Sequence, residues 1–287
     1  MSTQSDTAGP SLPAPLPEHL TSRGGSADLL VGEITEAVTN HIEAHPRSLQ
    51  RVVGPSEVGH PCSRYLTYKA LDADAVNTIA PPKWKSFIGT CVHEGLASAQ
   101  DSDNLRHAAE LGGSERWLVE TPVCVGTVLG TEIWGTADLY DRVTCTVIDH
   151  KIQGKDPRTM LGRKGPPAVY RAQLHLYARG FIRAGLQVDT VILLSWPREG
   201  EMRETEHWSE PYDEQIAIDA LTRLEGIAIA AETMGTDALA VVPTADHYCH
   251  NCPFYKHGST DLSTGCPGDQ NASVNSAGKG AFTDIIG

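Results

Sequence analysis

The sequence predicts an α/β fold, a mixed central sheet flanked by helices, on three observations. Strand-like apolar runs at 117–128, 133–139 and 146–151 follow one another across Gly or polar turns, the pattern of an antiparallel meander. A helical apolar period then fills 168–183, and a further strand run follows at 188–196. Strands, then a helix, then a strand require a mixed sheet with helices packed on it.

The other elements follow from spacing and punctuation. From Ala27 to His45, Leu30, Ile34, Val38 and Ile42 recur at helical intervals, and Pro46 ends the run. Ser56 is placed to cap a second helix carrying Cys62 and Tyr65. A third runs from Pro82 to Ala99, with Trp84, Phe87, Ile88, Cys91, Val92 and Leu96 as its apolar stripe and His93 among them. Gly162, Gly165, Pro166 and Pro167 mark a basic loop before the 168–183 helix. Pro211 to Met234 reads as a long helix with Ile216, Ala220, Leu224, Ile227 and Ala231 inward. Residues 1–27, rich in Pro, Ser and Thr, read as a disordered leader and 269–287 as a flexible tail, which leaves 28–268 as one folded domain.

A chain of 287 residues, 40% of them hydrophobic, can bury a sizeable core. It holds neither an apolar run of about 18 residues nor a basic-then-apolar leader, which implies no membrane partner and a cytoplasmic place. The formal charge of −13 argues against a surface coated in basic residues for non-specific nucleic-acid binding. A local track survives that argument. Lys151, Lys155, Arg158, Arg163, Lys164 and Arg171 face only Asp156 in the same stretch, and such a track can hold phosphates.

The stretch Gly135 to Lys151 sets Asp138, Asp149 and Lys151 on two apolar runs flanking one turn. Paired as a hairpin about Val143 and Thr144, the runs bring Asp138 opposite Asp149 with side chains roughly 5 Å apart. Opposed like charges destabilise a sheet, and a divalent cation between carboxylates is the simplest compensation. Lys151 shares a face with Asp149 because side chains alternate along a strand. Glu120, on the preceding strand, reaches the same centre if the strands pair in sequence. Gln173 and Tyr177, four apart on one helix, share a face and either can hydrogen-bond a phosphate, while Leu174, Tyr177, Ala178 and Phe181 read equally as a core stripe. His93, with Glu94 beside it, is by itself an ordinary helical histidine.

Seven cysteines divide into two groups. Cys91, Cys124 and Cys145 fall in apolar patterns and read as buried thiols. Cys62, Cys249, Cys252 and Cys266 fall in polar surroundings and, in a reducing compartment, suggest a metal site. Four thiolates suit a [4Fe–4S] cluster or tetrahedral zinc, with His247, His250 and His257 as competing ligands. A ligand set from Cys62 to Cys266 would close a loop of roughly 200 residues and staple the ends of the fold together.

Taken in order, Gly89-Thr-Cys-Val-His93, Gly135-Thr-Ala-Asp138, Asp149-His-Lys151 and Gln173-Leu-His-Leu-Tyr177, bracketed by Cys62 and the C-terminal cysteines, resemble the RecB-like branch of the PD-(D/E)XK nucleases. The pattern looks closest to the CRISPR-associated and phage-encoded exonucleases of that branch that carry an iron–sulfur cluster. The match spans about Ser56 to Pro267. It implies a restriction-endonuclease-like core in 28–268, with His93, Asp138, Asp149 and the main-chain carbonyl of His150 holding Mg²⁺ or Mn²⁺. It implies that Lys151 orients or deprotonates the attacking water, that Gln173 and Tyr177 position the substrate strand, and that Cys62, Cys249, Cys252 and Cys266 hold the cluster. The chain departs from the family in its last cysteines, which the family clusters more closely; His257 stands near the expected third position and Cys266 lies beyond it.

The function implied is a metal-dependent DNA exonuclease of replication, recombination or repair, acting in a host cytoplasm if phage-encoded. No P-loop G-x-x-x-x-G-K-[ST] occurs, so a helicase or recombinase partner would be a separate protein. The rival readings are a non-catalytic zinc or iron–sulfur DNA-binding adaptor and a structure-specific endonuclease on the same core.

Overall fold

The computed structural model describes residues 26–44, 53–77, 84–245 and 247–269. The leader and tail expected at 1–27 and 269–287 therefore lie almost wholly outside the described residues. Five strands form one sheet in the order β1 (Trp117–Val128), β2 (Thr131–Asp141), β3 (Thr146–Gln153), β4 (Thr190–Pro197) and β5 (Glu206–Pro211). All neighbours are antiparallel except β3 and β4, which run parallel. The crossover between them is made by α5 (Lys155–Lys164) and α6 (Ala168–Arg183), as a parallel pair demands. The mixed α/β sheet expected from the sequence is the one observed.

α6 lies across the sheet and is the helix with the most buried residues. Leu174, Leu176, Ala178 and Phe181 are buried, and the Phe181 ring stacks on Tyr140 of β2 at 4.7 Å. α7 (Glu214–Met234) packs on α6 through Ala217, Leu221, Leu224 and Ile227. Its first turn is capped by Asp213, whose carboxylate accepts from the Gln215 N–H at 2.9 Å. Gly135 opens the β2 segment that leads to the site. A Cβ there would lie 2.6 Å from Pro55 Cγ and 3.0 Å from Tyr177 Cε1, so only glycine lets α2 (Pro55–Val58) and α6 pack this closely on β2.

Several expectations are corrected. The helix expected from Ser56 is two: α2, and α3 (Ser63–Ala70) with Cys62 at its N-cap, separated where Gly59 and Pro61 interrupt the ladder. The basic loop is largely helical, as α5. Of the basic track's six cations three are paired internally, Lys151 on Asp149, Arg158 on Glu204 at 2.9 Å and Arg171, already in α6, on Glu210 at 2.5 Å. The long helix begins at Glu214 because Pro211 still belongs to β5, an edge strand absent from the sequence reading.

The third helix is α4 (Trp84–His107), and it buries only Gly89 and Asn104. Trp84, Cys91 and Val92 of its expected stripe are exposed. Cys124 and Cys145 are half-buried rather than buried; Cys145 sits in the β2–β3 turn at φ 52. In α1 (Ala27–Ala44) Ile42 is buried while Leu30 and Ile34 are exposed. No helix among the described residues is long and apolar enough to cross a membrane.

Candidate active site

The β2–β3 hairpin has the expected register. Asp141 pairs with Thr146, Tyr140 with Val147 and Leu139 with Ile148, which centres the turn on Val143 and Thr144; Asp138 and Asp149 are the next residues beyond the last pair. Across the other edge of β2, Val119 pairs with Leu139 and Thr121 with Ala137, so Glu120 also faces Asp138. Three carboxylates thus lie in a row across three neighbouring strands. His93 reaches this row from α4, its Nδ1 3.5 Å from Asp138 Oδ1. One ligand atom each from His93, Glu120 and Asp138 lies within 4.8 Å of the others.

Each carboxylate has its own environment. Asp138 is buried and its Oδ2 accepts the His150 main-chain N–H at 2.7 Å. Burial disfavours its charge, but His93, Lys151 and that N–H outweigh burial and hold the carboxyl below its ordinary range. Asp149 is fully buried; desolvation, helped by Asp138, pushes it up to about 6 despite the opposing pull of Lys151. Lys151 Nζ lies 2.6 Å from Asp149 Oδ2. For the lysine, burial works against the ammonium and is outweighed by Asp149 and Asp138, so its pKa is raised. Burial likewise opposes charge on His93 and is outweighed by Asp138, so its pKa rises too. His150, buried, is pulled down to about 4 and is a neutral ring.

The α6 residues complete one wall. Lys151 Nζ donates to Gln173 Oε1 at 3.3 Å, and Gln173 Nε2 donates to the Tyr177 hydroxyl at 3.4 Å. Both are buried, and Tyr177 belongs to the hydrophobic core as well. Two neighbours escaped the sequence reading. The Tyr170 ring lies 4.9 Å from Lys151 Nζ, and Trp196 Nε1 donates to His150 Nδ1 at 3.3 Å. Tyr170 stands three residues before Gln173 and seven before Tyr177, one helix face, which is the signal that could have found it. Trp196 is beside Ile152 in the parallel β3–β4 register, a pairing no local pattern announces.

This donor set fits a hard divalent cation: Asp149 Oδ1 is buried without a hydrogen bond among the described residues, and the neighbouring donors are carboxylate oxygens and the His93 ring. The basic side chains Lys155, Arg163 and Lys164 are exposed on the adjoining α5.

A second region gathers the polar-context cysteines. Cys62, Cys249, Cys252 and Cys266 line one cavity with His60 and His247. Burial pushes the Cys252 thiol up to about 12, and the facing Cys266, Cys249 and Cys62 add to it. Arg64 Nη1 lies 3.7 Å from Cys266 Sγ. His257 is instead drawn to the Tyr255 hydroxyl at 3.2 Å and does not line the cavity, nor does His250. His60, stacked on Tyr65 at 4.1 Å, was missed because a His before Pro61 carries no spacing signal.

No family model and no curated protein matches the chain. Among solved structures it is similar to SSO0001, at 18% identity over 78% of this chain and 94% of that one, with a TM-score of 0.40. It is similar to an alkaline exonuclease from Laribacter hongkongensis at 14% identity, 63% and 88% coverage and a TM-score of 0.42. It is also similar to a phage-related exonuclease from Haemophilus somnus 129PT at 13% identity, 62% and 91% coverage and a TM-score of 0.33.

Proposed function

We propose that the protein is a divalent-metal-dependent deoxyribonuclease that hydrolyses phosphodiester bonds at DNA ends. The observation that carries the reading is Asp149: a fully buried carboxylate with one oxygen unpartnered among the described residues, ion-paired to Lys151 and in line with Asp138. Burying such a group is costly unless something binds it. His93, Asp138, Asp149 and the His150 carbonyl would hold Mg²⁺ or Mn²⁺, which supplies Lewis acidity and charge neutralisation at the scissile phosphate.

The chain's own residues do the rest. Lys151 is an ammonium held between Asp149, Gln173 and the Tyr170 ring, so it donates. Of the roles the resemblance gives it, orienting the attacking water and stabilising charge developing on phosphorus suit that state. Gln173 and Tyr177 fix the lysine's direction and present polar atoms for the substrate strand. The cysteine cavity would hold a [4Fe–4S] cluster, or zinc, joining the start of α3 to the segment 249–266.

The test is digestion of end-labelled linear and covalently closed circular DNA, single- and double-stranded, with Mg²⁺ or Mn²⁺. Metal-dependent loss of linear DNA alone, absent in Asp149→Asn, is expected. Cutting of closed circles would replace the exonuclease with an endonuclease. No cutting by intact, metal-replete protein would leave a DNA-binding adaptor.

A further inference from the structure

The cation site inferred above draws on β2, β3 and α4, yet the carboxylate row continues one strand further. Glu120 stands opposite Asp138 on β1, between the paired residues Val119 and Thr121. Its φ is 42, the left-handed region that glycine favours, in the middle of a strand. Nothing about a β-strand requires that conformation, and a glutamate adopts it only when its surroundings over-determine it. The conformation comes with a placement: its carboxylate shares the 4.8 Å cluster with His93 and Asp138. One further atom at the same place, Oδ1 of the fully buried Asp149, lacks a hydrogen bond among the described residues.

We propose that Glu120 is a ligand of the divalent cation, so that the cation is held from three strands and α4 rather than from β2, β3 and α4 alone. This rests on the nuclease reading for the cation's purpose, but not for its binding. A third carboxylate changes what the site selects. With Glu120, Asp138 and Asp149 the ligand charge exceeds that of the ion, which favours hard divalent cations. The proximity of Asp138 to the buried Asp149, each felt by the other, is a penalty that a bound cation removes.

The experiment is Mn²⁺ titration of the full chain without DNA, read by electron paramagnetic resonance, for wild type, Glu120→Gln, Glu120→Gly and Asp138→Asn. Thermal melts in chelator and in Mn²⁺ accompany each. Glu120→Gln is expected to weaken Mn²⁺ binding at least tenfold with its melting temperature in chelator unchanged or raised. Glu120→Gly is expected to melt higher than wild type in chelator, because glycine relieves the left-handed residue, and to lose most of the Mn²⁺-induced shift. Mn²⁺ affinity in Glu120→Gln within twofold of wild type, with binding lost in Asp138→Asn, would overturn the role of Glu120 and leave the nuclease reading standing. Wild type that binds no Mn²⁺ would overturn both.

Discussion

The main-chain N–H of His150 donates to Asp138 Oδ2 at 2.7 Å, and it does so immediately beyond the last backbone pair of the β2–β3 ladder, Leu139 with Ile148. A carboxylate takes over where the ladder stops. Its second oxygen, Oδ1, lies 3.5 Å from His93 Nδ1.

Removing that acceptor leaves a buried N–H unpaired. Asp138→Ala is expected to cost about 1–3 kcal/mol of stability in chelator, whereas Asp138→Asn, which keeps an oxygen there, costs less. Urea unfolding of both variants, with unchanged m-values, checks it. Both are expected to lose Mn²⁺ binding.

Lys151 and Asp149 form a buried ion pair at 2.6 Å. Truncating one partner strands the other, so Lys151→Met is expected to destabilise by about 3–5 kcal/mol. Asp149→Asn combined with Lys151→Met is expected to recover most of that loss. A thermodynamic cycle over the four proteins measures the coupling, and a double variant no more stable than Lys151→Met would refute it. An inactive lysine variant therefore needs a melt beside its activity assay.

The pH dependence of stability follows from Asp149. Its carboxyl is raised in the folded protein to about 6, above its ordinary 3.8, so between those values the folded state binds more proton than the unfolded one. Stability of metal-free protein is expected to be fully present below about pH 4 as far as this group is concerned, to fall as pH rises towards 6, and to level above it. With saturating Mn²⁺ the dependence should reverse, because the cation binds the ionised carboxylate. Melts from pH 4 to 8, in chelator and in Mn²⁺, are compared with those of Asp149→Asn; the difference between the two proteins, which removes the histidines' common contribution, is expected to carry this dependence.

For the cysteine cavity, anaerobically purified protein is expected to be brown with the broad visible absorbance of an iron–sulfur cluster, and colourless if the site takes zinc. Cys62→Ala should give insoluble or colourless protein. A soluble, fully coloured Cys62→Ala would remove that residue from the ligand set.

What the sequence made legible was local. β1 and α6 match their expected bounds because a run rich in apolar and β-branched residues fills the one and a helical period the other. The hairpin register followed from a turn with equal arms on Val143 and Thr144. β5 was missed because Glu206–Pro211 is an edge strand with charges on it and no apolar alternation to find. α5 was missed because Pro157 and Gly162 look like breakers, although a proline in the first turn gives up no helical hydrogen bond. At the site, Asp138, Asp149 and Lys151 could be placed by counting along two strands. Tyr170, Trp196 and the unusual backbone of Glu120 needed the tertiary arrangement.

His93 approaches the carboxylate row from a helix that buries only Gly89 and Asn104, and whose firm tie, the Asn104 side chain on the backbone of Arg116 and Trp117, lies three turns away. On the α6 side, by contrast, a Cβ at Gly135 would meet Pro55 and Tyr177 at 2.6 and 3.0 Å, so the packing there is tight. A ligand bridging His93 to the row must consequently fasten α4 to the sheet as firmly as α4 grips the ligand, since linkage is reciprocal. Amide exchange in the N-terminal half of α4 becomes a direct gauge of occupancy, slowing when the centre is loaded and quickening when it is stripped.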